Sequence, residues 1–366
     1  MSRGGPVGVG IIGAGVISGE YLNNLTAFPD VNVVAIGDLV PDAAHARAAE
    51  YGVRVSGGVD TVLSNDAVEV VLNLTVPRAH SEVAQRAIAA GKHVYNEKPI
   101  AMDRASVEEL LQSADAANLR VGGAPDTFLG AGWQAVRRAV ARGDVGEPQT
   151  ALTLMQQSGP ESWHPNPAFF FQPGAGPLFD LGPYYLTGLV QLFGAAAYVA
   201  ASAAKARETR VIGSAPLAGQ TFAVAVPTHI SANLSFARGQ SATSVYSFDS
   251  PLPRVLVELT GTEATLALPN PNTFGGDLFI CRRDGEWRLL ESTQAVTTRG
   301  TGVLDMARAL RQNRPHRASG VLAAHVLDIM LATVDAAEQH QVITIESSAE
   351  PAELLPGDWN PRAATL

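Results

Sequence analysis

Of the 26 basic residues in this 366-residue chain, 23 are Arg and only three are Lys: Lys92, Lys98 and Lys205. Where plain positive charge suffices, the sequence uses Arg, a planar fork that never deprotonates. Lysine is a compact point charge whose ionisation can be moved. Lys92 and Lys205 read as solvated surface lysines. Lys98 sits between Glu97 and Pro99 in "GKHVYNEKPIAMD" (91–103), behind an apolar run, where that reading fits less well. A second group of able side chains lies in "GAGPLFDLGPYYLTGLVQLFG" (174–194). Pro183 suits the first turn of a helix, which places Asp180 just ahead of it. Leu186, Leu189, Val190 and Phe193 form the apolar stripe, and Tyr184, Thr187 and Gln191 share a polar face. An acid, a phenol and a cation are the equipment for moving a proton to or from a hydroxyl. The bland alternative makes Asp180 a helix cap and Tyr184 a buried, hydrogen-bonded phenol.

A third group surrounds "GIIGAGVIS", where Gly13 and Gly15 hold the first two positions of a G-x-G-x-x-G turn and Ser18 the third. The first glycine permits a tight turn, and the second lets a pyrophosphate approach the backbone at a helix N-terminus, which Val16 and Ile17 open. Roughly twenty residues on, Asp38 ends a second β-rich run, as this fingerprint requires. A carboxylate there accepts the ribose hydroxyls of NAD and repels the extra phosphate of NADP. The following Leu39, Val40 and Pro41 bring no positive charge, so NAD is expected and NADP less so. "NLTVPRAH" (73–80) leaves a third strand at its carboxyl end, where open α/β sheets bind ligands. Leu74, Thr75 and Pro77 are expected beside the nicotinamide half, with His80, Glu97 and Lys98 among the cofactor residues. Asp126, Trp163 and His164 are candidate substrate contacts with Lys98, Asp180 and Tyr184. The eight histidines show no metal-ligand spacing, so no metal is expected.

These residues need elements to hold them. Strand runs at 7–12, 31–38, 68–74, "HVYNEK" and "RVGGA" alternate with helical segments, which implies a parallel sheet covered on both faces. After Asp126 the pattern shifts. A connecting helix, "AGWQAVRRAVARGDVGEP", precedes strands such as "HISANLSF" (229–236) and "RVLVELTG" (254–261), whose alternation reads as a mostly antiparallel sheet with one polar face. "ATLALPN" and "DLFICRRDGEWRLL" are further strands. Helices "GVLDMARALRQN" and "ASGVLAAHVLDIMLATVDAAEQH" close the fold. The expected division is 1–125, 126–345 and a frayed tail, 346–366. The segment 158–180, rich in proline, glycine and aromatics, is too long for an idle loop and suits a substrate wall.

Composition narrows the partners. With 46% hydrophobic and 17% charged residues the chain reads as globular. A net charge of −9 argues against nucleic acid. Cys281 is alone, so no intrachain disulfide forms, which fits a reducing compartment. The N-terminus lacks a signal-peptide design, and the apolar run "LFGAAAYVAASAA" falls short of a membrane span. A cytoplasmic location is expected. A sheet with too few helices to cover both faces suggests a homodimer or homotetramer.

Together, "GIIGAGVIS", "NLTVPRAH", "EKP", "GGAPDTFLG", "SWHPNPAFFFQPGAGPLFDLGPYYLTGL" and "RPHRASGVLAAHVLDIM" resemble the Gfo/Idh/MocA oxidoreductases, the glucose–fructose oxidoreductase and inositol dehydrogenase group, over nearly the whole chain. The resemblance implies a Rossmann domain followed by an open-faced α/β domain whose sheet often forms the oligomer interface. It implies hydride transfer between NAD and a hydroxyl of a sugar or cyclitol. The family lysine of EKP maps onto Lys98 and the later acid onto Asp180. Many members carry a histidine where this chain has Tyr184, and some sugar-oxidising members carry tyrosine; a frequent acid is Thr187 here, so an inositol substrate is less secured. On this reading Tyr184 takes the hydroxyl proton, Lys98 holds the hydroxyl and its charge favours the phenolate, and Asp180 orients substrate or Lys98. The rival reading is a regulator on the same scaffold that binds dinucleotide and sugar without turnover; a third is a dehydrogenase of a cyclic non-sugar diol.

Overall fold

The computed structural model describes residues 4–291 and 296–366. The strand runs of the first third become β1 (Val7–Ile12), β2 (Val31–Gly37), β3 (Val55–Gly57), β4 (Val70–Asn73), β5 (His93–Asn96) and β6 (Val121–Gly123). They pair in parallel in the order β3-β2-β1-β4-β5-β6. Helices α1 (Val16–Leu25), α2 (Pro41–Tyr51), α3 (Val59–Leu63), α4 (His80–Ala89) and α5 (Arg104–Ala116) make the connections. β1 is buried along its whole length, as a strand covered on both faces must be. Strand order reverses between β1 and β4, and the crevice at that switch point is where such sheets bind ligands.

Local chemistry explains several boundaries. Pro41 occupies the first turn of α2, and Gly52, with φ 69°, ends it in the left-handed conformation a side chain would strain. The sequence reading omitted α5, although Asp103 caps it by accepting from the Ser106 amide at 2.8 Å. β3 and α3 were also omitted; three and five residues are too short to show a period.

The chain forms two compact units, neither contiguous in sequence. The first is Met1–Ala131, Gln294–Leu327 and Ala352–Leu366; the second is Gly132–Thr293 and Asp328–Pro351. The tail expected to fray therefore belongs to the first unit from Ala352 onward. Its anchor is Arg308 on α8 (Thr301–Gln312). That buried guanidinium pairs with Asp30, donates to the Asn360 and Ala363 carbonyls, and lies 4.5 Å from the Trp359 ring centroid. A buried ion pair needs its remaining donors satisfied, and the tail's carbonyls do so. The long apolar helix α9 (Gly320–Gln339), rather than "LFGAAAYVAASAA", has the length and composition to cross a membrane, but 67% of that stretch is buried in the fold.

The second unit contains α6 (Ala131–Ala141) from Gly132 onward, β7 (Pro148–Gln156), α7 (Gly176–Phe193), β8 (Ala196–Ala204), β9 (Thr209–Val211), β10 (Thr221–Ala223), β11 (His229–Phe236), β12 (Ser241–Ser247), β13 (Arg254–Gly261), β14 (Thr265–Ala267), β15 (Phe279–Cys281), β16 (Trp287–Leu289) and β17 (Ile343–Thr344). β9 and β10 form a small ribbon. The others make a nine-stranded sheet, β16-β15-β14-β13-β7-β12-β11-β8-β17, antiparallel except for the β7–β12 pair. α7 packs on β7, β11 and β12. Alternate residues of β11 point into that core: Ile230, Ala232, Leu234 and Phe236 are buried. The outward set includes the Asn233–Thr243 hydrogen bond and the exposed Leu152 and Tyr198.

Candidate active site

The glycine turn is built as its residue types require. Gly13 has φ 108°, and a Cβ there would lie 2.6 Å from the Leu74 carbonyl carbon and oxygen. Gly15 is the N-cap of α1, and a Cβ there would meet no protein atom within 4 Å. That open space in front of the first helical amides fits a pyrophosphate. Ser18 is fully buried and its hydroxyl donates 2.7 Å to the Gly15 carbonyl, so the small third residue also closes the turn. Asp38 accepts from the Ala14 amide at 2.7 Å through one oxygen and from the Val40 amide at 2.9 Å through the other. Asp38 is thus also a brace for the turn. Val16 and Leu39 are 91% and 90% exposed, and Ile17 is half-buried. Large apolar side chains left bare beside Asp38 are what an adenosine face would cover. The residues present fit a dinucleotide.

Two buried asparagines that the sequence reading missed hold the next two loops. Asn73 and Asn96 end β4 and β5 side by side, with an amide-to-amide bond of 2.9 Å. Asn73 Oδ1 accepts from the Thr75 amide and hydroxyl, and its Nδ2 donates to the His80 carbonyl. The available signal was a polar residue ending each apolar run, "VVLN" and "HVYN". Thr75 is half-buried, Leu74 is buried and Pro77 is exposed, opening a 3-10 turn.

His80, expected among the cofactor residues, is a clasp instead. Its ring is buried, with Nδ1 2.6 Å from the Pro99 carbonyl and Nε2 2.9 Å from the Thr75 carbonyl. Carbonyls only accept and a neutral imidazole carries one N–H, so the ring donates to one carbonyl at a time while its body fills the space between the two loops. Burial drives the ring's pKa down, outweighing the two carbonyls and Glu97 that push it up. Glu97 likewise shapes the loop rather than facing a ligand with both oxygens. Oε1 accepts from the Tyr21 hydroxyl at 2.8 Å and Oε2 from the Lys98 amide at 2.9 Å. Lys98 follows β5 on a half-buried loop at the ligand edge of the sheet. The other lysines differ from expectation in one case. Lys92 is buried, its ammonium donating 3.0 Å to the Asn65 carbonyl, whereas Lys205 pairs with Glu208 at the surface.

Asp126, expected as a substrate contact, is engaged by the start of α8 instead. Its side chain is wholly buried, accepts from the Gly300 and Gly302 amides at 3.1 and 3.0 Å, and pairs with Arg299 at 3.2 Å. The first amides of α8 lack partners within the helix, and this carboxylate supplies one. Burial raises its pKa, against Arg299 and the two amides.

In the second unit, α7 starts at Gly176, with Pro177 in its first turn and Pro183 inside. Asp180 is therefore within the helix, not ahead of it. It sits one turn before Tyr184, and Thr187 and Gln191 continue the same face. Tyr184, Thr187 and Gln191 are buried and Asp180 is half-buried. The misplacement has a physical origin: an interior proline removes one helical hydrogen bond, and burial of nearly the whole helix compensates.

The proline- and aromatic-rich segment ahead of α7 folds as two 3-10 turns, Pro160–Ser162 and Pro167–Phe171. Trp163, 61% exposed, meets the His164 ring edge-on at 5.4 Å, and His164 meets Phe169 and Phe170 at 5.3 and 5.2 Å. His164 Nδ1 accepts from the Asn166 amide at 3.1 Å, leaving Nε2 as the ring's donor. The buried Arg210 anchors this segment by pairing with Glu161 and Asp249 and donating to the Ser158 and Phe248 carbonyls.

Residues 7–123 match the family model described as oxidoreductase family, NAD-binding Rossmann fold, and residues 133–267 match the GFO/IDH/MocA C-terminal domain. An uncharacterized oxidoreductase of Rhizobium meliloti is 30% identical over 72% of this chain and 74% of its own length. An inositol 2-dehydrogenase of Rhizobium meliloti (strain 1021) is 30% identical over 41% of this chain, which spans under half (46%) of that relative. Among solved structures, a levoglucosan dehydrogenase in complex with NADH and L-sorbose superposes with a TM-score of 0.81, at 18% identity over 93% of this chain and 99% of that one.

Proposed function

We propose, from the premise that this chain belongs to the Gfo/Idh/MocA oxidoreductase family, that it interconverts a hydroxyl and a carbonyl of a sugar, sugar derivative or cyclitol with NAD. The observation that carries the reading is the alignment of Asp180 and Tyr184 one turn apart on α7, in a chain whose NAD-binding sheet presents Lys98 at its ligand edge. The names of the relatives support a carbohydrate-like substrate.

Gly13, Gly15 and Asp38 would hold the dinucleotide's pyrophosphate and ribose, and the loops at Thr75 and Lys98 its nicotinamide half. When bound, that group supplies the hydride exchange. The chain's own residues handle position and proton. Lys98 donates to the substrate oxygen and fixes it. Tyr184 takes the hydroxyl proton in oxidation and returns it in reduction. Asp180 orients the substrate or Lys98. Trp163 and His164 offer an aromatic wall of the kind that pyranose faces stack on.

The same reading assigns NAD in preference to NADP, a homo-oligomer built on the outward sheet face, and a cytoplasmic location. A panel of sugars, glycosides and cyclitols with NAD, followed by the absorbance of the reduced dinucleotide, tests it. Turnover of a panel member supports the assignment. Dinucleotide binding with no turnover on any member overturns it in favour of a silent sensor.

A further inference from the structure

We propose that Tyr21 is a positioning residue for Lys98, acting through Glu97. Tyr21 lies in the second turn of α1, the helix whose N-terminus forms the glycine turn, and its side chain is fully buried. Its hydroxyl donates 2.8 Å to Glu97 Oε1, and Glu97 Oε2 accepts 2.9 Å from the Lys98 amide. Two hydrogen bonds through one carboxylate therefore join the phosphate-side helix to the peptide that carries the lysine.

Packing alone does not account for this tyrosine. Its buried neighbours on α1, Leu22 and Leu25, fill their space with hydrocarbon. The phenol instead reaches across to a carboxylate 76 positions away. Arg299 lies 6.0 Å from the Tyr21 ring centroid and pairs with Asp126, so the carboxylate sits in a charged, enclosed neighbourhood where a missing partner is costly. Burial, Glu97 and Asp126 raise the phenol's pKa well above its ordinary value, so the hydroxyl stays a donor through the working range. Removing that donor leaves Glu97 one partner short and able to turn away from the Lys98 amide. The glycine turn, braced separately by Asp38 and Ser18, keeps its shape.

The inference rests on the role assigned to Lys98, and its test separates the two. Tyr21→Phe, Lys98→Met and the double variant are compared with NAD plus D-glucose or myo-inositol, alongside hydrogen exchange of the peptide containing Lys98. Tyr21→Phe is expected to lower kcat about ten- to a hundredfold, to leave the NAD dissociation constant unchanged, and to speed exchange at Lys98 but not in β1. In the Lys98→Met background it should lower kcat no further. Unchanged exchange at Lys98 overturns the inference, as does an equal loss of kcat in both backgrounds. Full turnover by Lys98→Met overturns the lysine's role instead, and the exchange measurement still decides whether Tyr21 holds its peptide.

Discussion

The proposed reaction assigns the proton to Tyr184 and the substrate oxygen to Lys98. Positioned acid–base catalysis contributes about 10²–10⁴-fold. Tyr184→Phe should lower kcat by that order and leave NAD affinity nearly unchanged, as separate titration and turnover measurements will show. Lys98→Met should cost more, and Lys98→Arg should not restore activity, because the fork is larger and its charge is fixed. Asp38 carries a different expectation. Its carboxylate holds the Ala14 amide, so Asp38→Ala should weaken NAD binding as well as narrow the preference over NADP. Titrating both cofactors against wild type and variant separates these effects; tighter NADP binding by the wild type would contradict the assignment. Gly13, Gly15 and Asp38 were legible because each sat in a strand–turn–helix context that only a few residues define. Asp126 was not. Its partners Gly300 and Gly302 come 174 and 176 positions later, and no local pattern announces them.

At the scale of elements, α7 decides how the second unit presents its side chains. The sequence reading found its apolar stripe and polar face but started it at Pro183, because an interior proline is unfavourable unless tertiary burial compensates. Strands with clean alternation, β11 and β13, came out with their expected bounds. The two-asparagine brace between β4 and β5 went unread, since a lone polar residue at a strand end has many explanations. Gly188 marks where α7 is tightest. A Cβ there would lie 2.4 Å from the buried Trp133 ring. Glycine to alanine ordinarily favours a helix by roughly 1 kcal/mol. Overpacking costs about 1–3 kcal/mol, so Gly188→Ala should destabilise the protein on balance, measured by chemical denaturation. A rise in stability would mean the ring has room to yield.

Over the whole molecule, two histidines of the first unit set an acid limit. His93 and His316 are each depressed to about 4, chiefly by burial. His93 Nδ1 accepts from the Arg120 amide, which a protonated ring cannot do. Above pH 6.5 the rings are neutral in both folded and unfolded chains. As pH falls from 6.5 toward 4, the unfolded chain takes protons that the folded one refuses, and stability drops by on the order of 1–3 kcal/mol per ring. His316→Gln should flatten the fall in denaturation midpoint across that window. The outward face of the nine-stranded sheet makes the other global prediction. Light scattering at micromolar concentration should give a multiple of the chain mass, and a single-chain mass would show that this face is simply wet.

The placement of the lysines also gives the protein a spectroscopic address. Reductive methylation with isotope-labelled formaldehyde keeps the charge of each amine and adds a resonant methyl tag. Three lysines yield three side-chain tags beside that of the α-amino group. Lys92 is enclosed on the Asn65 carbonyl and should react slowly, while Lys205 is held by Glu208 at the surface and serves as an internal standard. The remaining signal belongs to Lys98, and its shift on addition of dinucleotide and then of each candidate sugar would screen ligands without waiting for turnover.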